Sequence, residues 1–284
     1  MPAQTTSPGA KARTVTLTVL AASVAAVLFV VVAAFTSSDG SSQGSADAGN
    51  GVWHGGGAEG VARPSLADVD TPAAAEDRGG IPVSAAGVGV AGEDDVVVEV
   101  FFDPLCPWCA QFEAQFGPEL DAAVAAGGVT VVERPVAFLD AKSGGTYSTR
   151  AVNALAVVAD DAPERFPAMV DTLLANQPQG DDGATDGLTD DQIAGLASDV
   201  GVRATVIDRF TATTTVPYTT TDGGSGEAES RQFAAWVMAA TEQADTDLGG
   251  LSVPSVLVDG QRFEDWQTPG ALTDAIEAAR AATQ

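Results

Sequence analysis

The longest hydrophobic run of the chain lies near its start. Thr14 to Phe35, TVTLTVLAASVAAVLFVVVAAF, is 22 residues without a charge. At about 1.5 Å of rise per residue it matches the roughly 30 Å hydrocarbon core of a bilayer, which predicts a transmembrane helix over 14–35. The other reading is a cleaved signal peptide, for which Val32-Ala33-Ala34 would suit the cut. The apolar region of such peptides is normally shorter, about 7–15 residues. From 36 to 79 the apolar pattern disappears into Ser, Gly, Ala and Asp, as in SSDGSSQGSADAGNG. That composition predicts a flexible tether, because it buries too little surface to offset the entropy of ordering. Trp53-His54 inside it reads as incidental, and no internal repeat is visible.

A folding pattern begins near Gly80 and runs to the end, over 80–284. Ile81 to Val90 predicts an edge strand. Val96 to Phe102, VVVEVFF, predicts a buried central one, since a strand covered on both faces reads as a continuous apolar run. Phe112, Phe116, Leu120 and Val124 recur every fourth residue and predict an amphipathic helix, kinked where Pro118 removes a backbone donor. A strand over Val129 to Arg134 follows. Helical stripes come next: Ala151, Leu155 and Val158; Phe166, Met169, Val170 and Leu173; Ile193, Leu196 and Val200; Phe233, Trp236, Val237 and Ala240. These stripes are expected to be core, and Thr189 with Gln192 fits a capping box. Leu251 to Phe263 reads as strand, Asp259-Gly260 turn, strand, with Pro254 at the start, where a cis bond is at home. Val216-Pro217 is read as loop. Thr268 as N-cap, Pro269 at N1, then Leu272, Ile276 and Ala279 describe a closing helix.

Charge divides the chain. Of 284 residues, 13 are Lys or Arg and 39 are Asp or Glu, a net charge of −26, and no acidic residue precedes Asp39. Such a charge repels phosphate backbones and excludes nucleic-acid binding through a basic face. Lys11 and Arg13, the basic residues before the apolar run, place residues 1–13 in the cytoplasm and the chain beyond the run outside, in an oxidising compartment. Two Cys and one His cannot make a four-ligand Cys/His zinc site within one chain. The stretch from Asp181 to Gly187 fails as a calcium loop. With Asp182 first, position 3 is Ala184 and position 12 is Ile193, where a bidentate Glu is required, so a solvated loop is expected. No metal or cofactor is called for.

The candidate chemistry is Cys106-Pro107-Trp108-Cys109, between the central strand and the first helix. Pro at the first helical position puts Cys106 at the N-cap, where unpaired N–H groups and the helix dipole favour a thiolate. Cys106 is therefore the expected nucleophile. Cys109, one turn inward on the same face, is the expected resolving thiol. Half a zinc site needs a second cysteine pair that the chain lacks. An inert structural bridge closing so small a loop would remove little chain entropy. A redox-active pair is the better reading.

Strand, Cys-Pro-Trp-Cys, kinked helix, strand, helical stretch, Val253-Pro254, hairpin and closing helix together resemble the DsbA-like branch of the thioredoxin superfamily, over about 80–284. The 148 positions from Cys106 to Pro254 exceed a bare thioredoxin and fit that branch's helical insertion, about 145–247. The resemblance implies an α/β thioredoxin-like fold in which Pro107 and Trp108 tune the redox pair. It also implies that Pro254 is the cis-proline beside the pair and that the Val253 backbone pairs with substrate. Two positions depart from relatives. No His stands between the cysteines, and Val100 stands six before Cys106, where some relatives carry an acid; the neighbouring Glu99 points to the opposite face. The implied activity is a membrane-anchored extracytoplasmic thiol-disulfide oxidoreductase that oxidises cysteine pairs of exported proteins and is reoxidised by a quinone-linked membrane partner of the DsbB or VKOR kind. The same residues run the other way would give a reductase or isomerase. A non-redox assembly module with a fixed disulfide is the alternative of another class.

Overall fold

In the computed structural model the described residues are 60–140, 145–178, 187–266 and 268–282, with the backbone of 52–53. The run 14–35, most of the tether before Gly60 and the Asp-rich loop up to Asp186 lie outside them. The elements in chain order are β1 (Val52–Trp53), β2 (Ile81–Ser84), β3 (Gly87–Val88), β4 (Val96–Phe102), α1 (Pro107–Ala126), β5 (Val129–Pro135), α2 (Tyr147–Asp161), α3 (Phe166–Ala175), α4 (Asp190–Asp199), α5 (Ala204–Ile207), β6 (Thr213–Thr219), β7 (Ser225–Arg231), α6 (Ala234–Leu248), β8 (Ser255–Val258), β9 (Gln261–Arg262) and α7 (Ala271–Ala282). Among the described residues no helix is long and apolar enough to cross a membrane.

The main sheet has the order β3-β2-β5-β4-β8-β9. Its centre is β4, parallel to β5 and antiparallel to β8, which explains the unbroken apolar run of its sequence. On one face Val96, Val98, Val100, Val129, Val131, Val256 and Val258 meet Phe112, Phe116 and Leu120 of α1 and Leu272 and Ile276 of α7. Each large side chain buried in this way contributes about 1.5–3 kcal/mol. The other face, around Phe101 and Val136, is covered by α6 through Ala244. A separate and larger core joins α2, α3, α4 and α6 through Leu155, Phe166, Met169, Leu173, Ile193 and Trp236, and it includes Phe102, Cys106 and Cys109. The cysteines thus belong to the packing of the insertion and not to the valine layer of the sheet.

Glu99 does lie on the α6 side, as strand alternation requires. It is buried and takes Arg134 Nε at 2.7 Å, while the same guanidinium reaches Glu76 at 2.9 Å and donates to the Arg78 carbonyl at 3.0 Å. The capping box forms as expected: the Gln192 N–H donates to Thr189 Oγ1, and the Thr189 N–H donates to the Gln192 side chain.

Four expectations need correction. Ile81–Val90 is not one edge strand but the hairpin β2–β3, so β2 sits between β5 and a two-residue edge. Val216-Pro217 is not loop: it lies in β6, which pairs antiparallel with β7 along Thr213 to Thr219. That strand is the outer one of a sheet ordered β1-β7-β6, where a residue without an N–H is tolerated. The insertion is therefore not purely helical. Residues 60–79 do not behave as tether. The Ala62 N–H donates to the Thr219 carbonyl at 2.8 Å, the Ala73 N–H donates to Asp160 at 3.0 Å, and Ala74 is buried. Strand β8 begins at Ser255, directly after Pro254, as expected. The last helix starts at Ala271, past Pro269, because Gly270 sits at φ +80°, outside helical space. The Asp259-Gly260 turn, with φ of 46° and 75°, has the two positive φ values that a tight hairpin needs.

Candidate active site

The redox turn is built where β4 ends. The Asp103 carbonyl accepts the Cys106 N–H at 2.9 Å, Cys106 is the N-cap of α1 in an extended conformation, and Pro107 follows at N1. The Cys106 carbonyl then accepts the Cys109 N–H at 3.0 Å and the Ala110 N–H at 3.2 Å, closing the first helical turn. Both cysteines are free thiols, 4% and 1% exposed. Trp108 between them is 64% exposed, so the turn presents its dipeptide to solvent and keeps its sulfurs inward. The helix continues through Pro118 to Ala126.

The two thiols are made unlike by their surroundings. A hydrogen bond from the Cys109 thiol, with the N–H groups of Cys109 and Trp108, holds Cys106 down at about 7 against burial, from an ordinary 9.0. Burial pushes Cys109 up, and the hydrogen bond to Cys106 adds to it. Cys106 is therefore the group that ionises first, and Cys109 keeps its proton.

Opposite the turn stands the start of β8. The Val253–Pro254 bond is cis, and the Cys106 thiol donates to the Val253 carbonyl at 3.4 Å. The structure thus brings together Cys106, Cys109, Val253 and Pro254, with Pro107 and Trp108 on the rim. Beside them opens a cavity of about 470 Å³ lined by Pro254, Ser255, Arg262, Phe263 and Trp266, among others. The Trp266 ring packs edge-on against Phe112 of α1 at 5.5 Å.

Three residues without a signal in the sequence hold the turn in place. Asp103 is fully buried. Its Oδ1 accepts the Leu105 N–H at 2.8 Å and the Ser148 hydroxyl at 2.7 Å, and its Oδ2 accepts the Leu139 N–H at 2.8 Å. Burial pushes the Asp103 carboxyl up to about 6 despite these bonds, which favour the ionised form. Gln177, just past α3, donates through Nε2 to the carbonyls of Pro104 at 3.0 Å and Cys106 at 2.8 Å. Ser148 and Gln177 both come from the insertion. Asp-Pro in sequence reads only as a turn starter, and nothing local to Ser148 or Gln177 marks them.

No carboxylate occupies the place of Val100. Its register partner on β5 is Glu133, which lines a cavity of about 30 Å³ under α1 with Glu113, Asp121 and Asp171. Burial pushes Glu113 up to about 7, with the charges of Asp171 and Asp121 adding to it, and pushes Glu133 well above the ordinary carboxyl range. Among the described residues no group of three or more His, Cys, Asp or Glu is arranged to hold a metal.

Comparison with known proteins points the same way. The sequence model of a family described as "Thioredoxin" matches residues 90–278. DsbA of Mycobacterium tuberculosis in its oxidised form superposes with a TM-score of 0.52 at 26% identity, over 72% of this chain and 98% of that one. The thiol-disulfide oxidoreductase MdbA of Actinomyces oris gives 0.55 at 17% identity, over 76% and 96%. BdbD of Bacillus subtilis gives 0.55 at 16%, over 75% and 99%. Among curated proteins, the serine/threonine-protein kinase PknE of Mycobacterium tuberculosis is 33% identical over 112 residues, which is 39% of this chain but only 20% of the kinase.

Proposed function

The chain belongs to the thioredoxin family, in its DsbA-like branch, and from that premise we propose that it is a protein thiol-disulfide oxidoreductase working outside the cytoplasm. The observation that carries the reading is the pairing of two unlike thiols, Cys106 lowered to about 7 and Cys109 raised, against the cis Val253–Pro254 bond. The uncharged run 14–35 with Lys11 and Arg13 before it supports a membrane anchor with the catalytic domain on the outer side.

In the proposed reaction a thiolate of an exported protein attacks Cys106 Sγ of the oxidised pair. The Cys106–Cys109 bond breaks, and its electron pair leaves on Cys109, which takes up a proton. A second thiol of the same substrate then attacks the substrate sulfur of the mixed disulfide and expels Cys106 as a thiolate. The substrate leaves with a disulfide and the enzyme as a dithiol. The low affinity of Cys106 for a proton makes it the better leaving group in this step. Its carbonyl neighbour Val253 and the adjoining cavity offer backbone and apolar contacts to a substrate segment. Reoxidation falls to a quinone-linked membrane partner of the DsbB or VKOR kind, and the chemistry is carried by the two sulfurs without a cofactor.

The direction of electron flow is set by the potential. A Cys106 near 7 stands with thioredoxin and well above the ~3.5 of the most oxidising relatives. The expected oxidant is therefore a mild one, lying between about −120 and −270 mV. Equilibration with glutathione tests this: a value at or below about −270 mV would overturn the oxidase reading in favour of a reductase. Cys106→Ser is expected to abolish exchange.

A further inference from the structure

Asp103 is a carboxylate that both cysteines feel: after burial and the Cys106–Cys109 hydrogen bond, its negative charge also opposes ionisation of Cys106 and of Cys109. It is fully buried, and its two oxygens are held by three donors from three places: the redox turn, the loop after β5, and α2. An ion pair would cancel its field, but among the described residues no cation lies within ion-pair distance of it. What faces it instead is Cys106 and Cys109 from α1, Ser148 and Tyr147 from α2, and Asp140 from the loop before α2. Raised to about 6, Asp103 is still ionised where Cys106 titrates near 7, and a carboxylate caged by dipoles alone then projects its charge onto the nearest ionisable group in a low dielectric.

We propose that Asp103 is a positioning residue that fixes the redox turn and, through its charge, holds the Cys106–Cys109 pair less oxidising than the Cys-Pro-Trp-Cys turn alone would make it. The inference rests on the thiol-disulfide reading above and adds to it a regulator of the same site. The helix N-terminus and the Cys109 thiol stabilise the Cys106 thiolate; Asp103 works against them. The dithiol with an ionised Cys106 is penalised relative to the disulfide, which carries no charge there. Removing the charge must then favour the reduced form.

Asp103→Asn tests this: the amide oxygen can keep the Leu105 and Ser148 donors, while its Nδ2 faces the Leu139 N–H donor against donor, so the variant's fold is checked first. Ser148→Ala is the second variant: it leaves the carboxylate but removes one donor that stabilises its charge. The readouts are the Cys106 thiolate titration, followed by absorbance, and the equilibrium with glutathione. In Asp103→Asn the Cys106 midpoint is expected to fall by roughly one pH unit. The glutathione equilibrium then shifts roughly tenfold toward reduced protein, which is about 30 mV more oxidising. Ser148→Ala should move both the same way by less. A residue that only braced the turn would give the opposite sign, since a loosened turn lets Cys106 drift up toward an ordinary thiol. A midpoint that rises or stays put in the folded variants overturns the proposal, and if Asp103→Asn fails to fold, the sign in Ser148→Ala decides. Failure of the wild-type protein to exchange with glutathione would instead strike the thiol-disulfide reading, and the thiolate titration would still judge Asp103.

Discussion

Replacing Cys109 by alanine removes the thiol whose hydrogen bond is the largest contribution to the low proton affinity of Cys106. That affinity lies about two pH units below the ordinary value, from 9.0 to about 7, on the order of a few kcal/mol. If the bond accounts for most of this, Cys106 in the variant titrates near the ordinary value. At pH 6 the thiolate fraction would then fall roughly a hundredfold, while the more basic thiolate recovers about sixfold to tenfold in nucleophilicity, leaving a net loss of about tenfold. Above pH 9 the order reverses and the variant reacts faster by about sixfold to tenfold. Stopped-flow reaction of reduced protein with 4,4′-dithiodipyridine between pH 4 and 10, reading the first thiol released, measures both limbs. Cys109→Ser keeps a donor and should fall between the two. A Cys109→Ala profile that still turns over at about 7 would refute the reasoning and hand the effect to the N–H groups of Trp108 and Cys109.

Arg134→Met takes from buried Glu99 its contacts at 2.7 Å and leaves it only Arg78 at 4.0 Å; loss of one partner of a buried pair costs up to about 3–5 kcal/mol, urea unfolding should show it, and Glu99→Gln combined with Arg134→Met should recover a large part. Asn153 is fully buried; its Nδ2 donates to the Phe210 carbonyl at 3.1 Å, and its Oδ1 accepts the Phe233 N–H at 3.0 Å. Asn153→Ala leaves the Phe233 N–H unpaired, while the Phe210 carbonyl keeps Arg231 Nη1 at 3.2 Å, for a loss of about 1–3 kcal/mol, again by urea unfolding. Glu113 is a carboxyl raised in the folded state from 4.5 to about 7, so its neutral form is the one the fold prefers. Its contribution is therefore unimpaired below about 4.5 and becomes a growing penalty as pH rises toward 7. Glu113→Gln should raise Tm relative to wild type at pH 8 and lose that advantage at pH 4; an equal gain at both would refute it.

The features legible in sequence alone are those written locally. The valine run of β4, the Pro107 that makes Cys106 an N-cap, the Thr189–Gln192 capping box and the Asp259-Gly260 turn each carry their cause within a few residues. The β6–β7 hairpin is illegible because it is largely exposed on both faces and has no alternating apolar stripe, and Pro217 argues against it. Residues 60–79 look like tether because their order comes from partners such as Thr219, Asp160 and Glu242, not from their own composition. The supports of the active site escape sequence reasoning for the same cause. Ser148 lies 45 positions from Asp103, and Gln177 lies 71 from Cys106. Their role is a matter of where the insertion folds back.

The contact between the Cys106 thiol and the Val253 carbonyl spans 147 positions. Closing so long a loop is slow and comes late, after local helices have formed. Synthesis from the N-terminus delivers both cysteines well before the segment that will face them. Until β8 pairs with β4, the redox turn lacks the Val253 carbonyl and the cis Pro254 that face it, although the local bonds that lower Cys106 lie within α1. A chain cut short before Val253 would therefore carry an activated Cys106 with nothing opposite it, and the late strand completes the wall that faces a substrate, not the thiol chemistry itself.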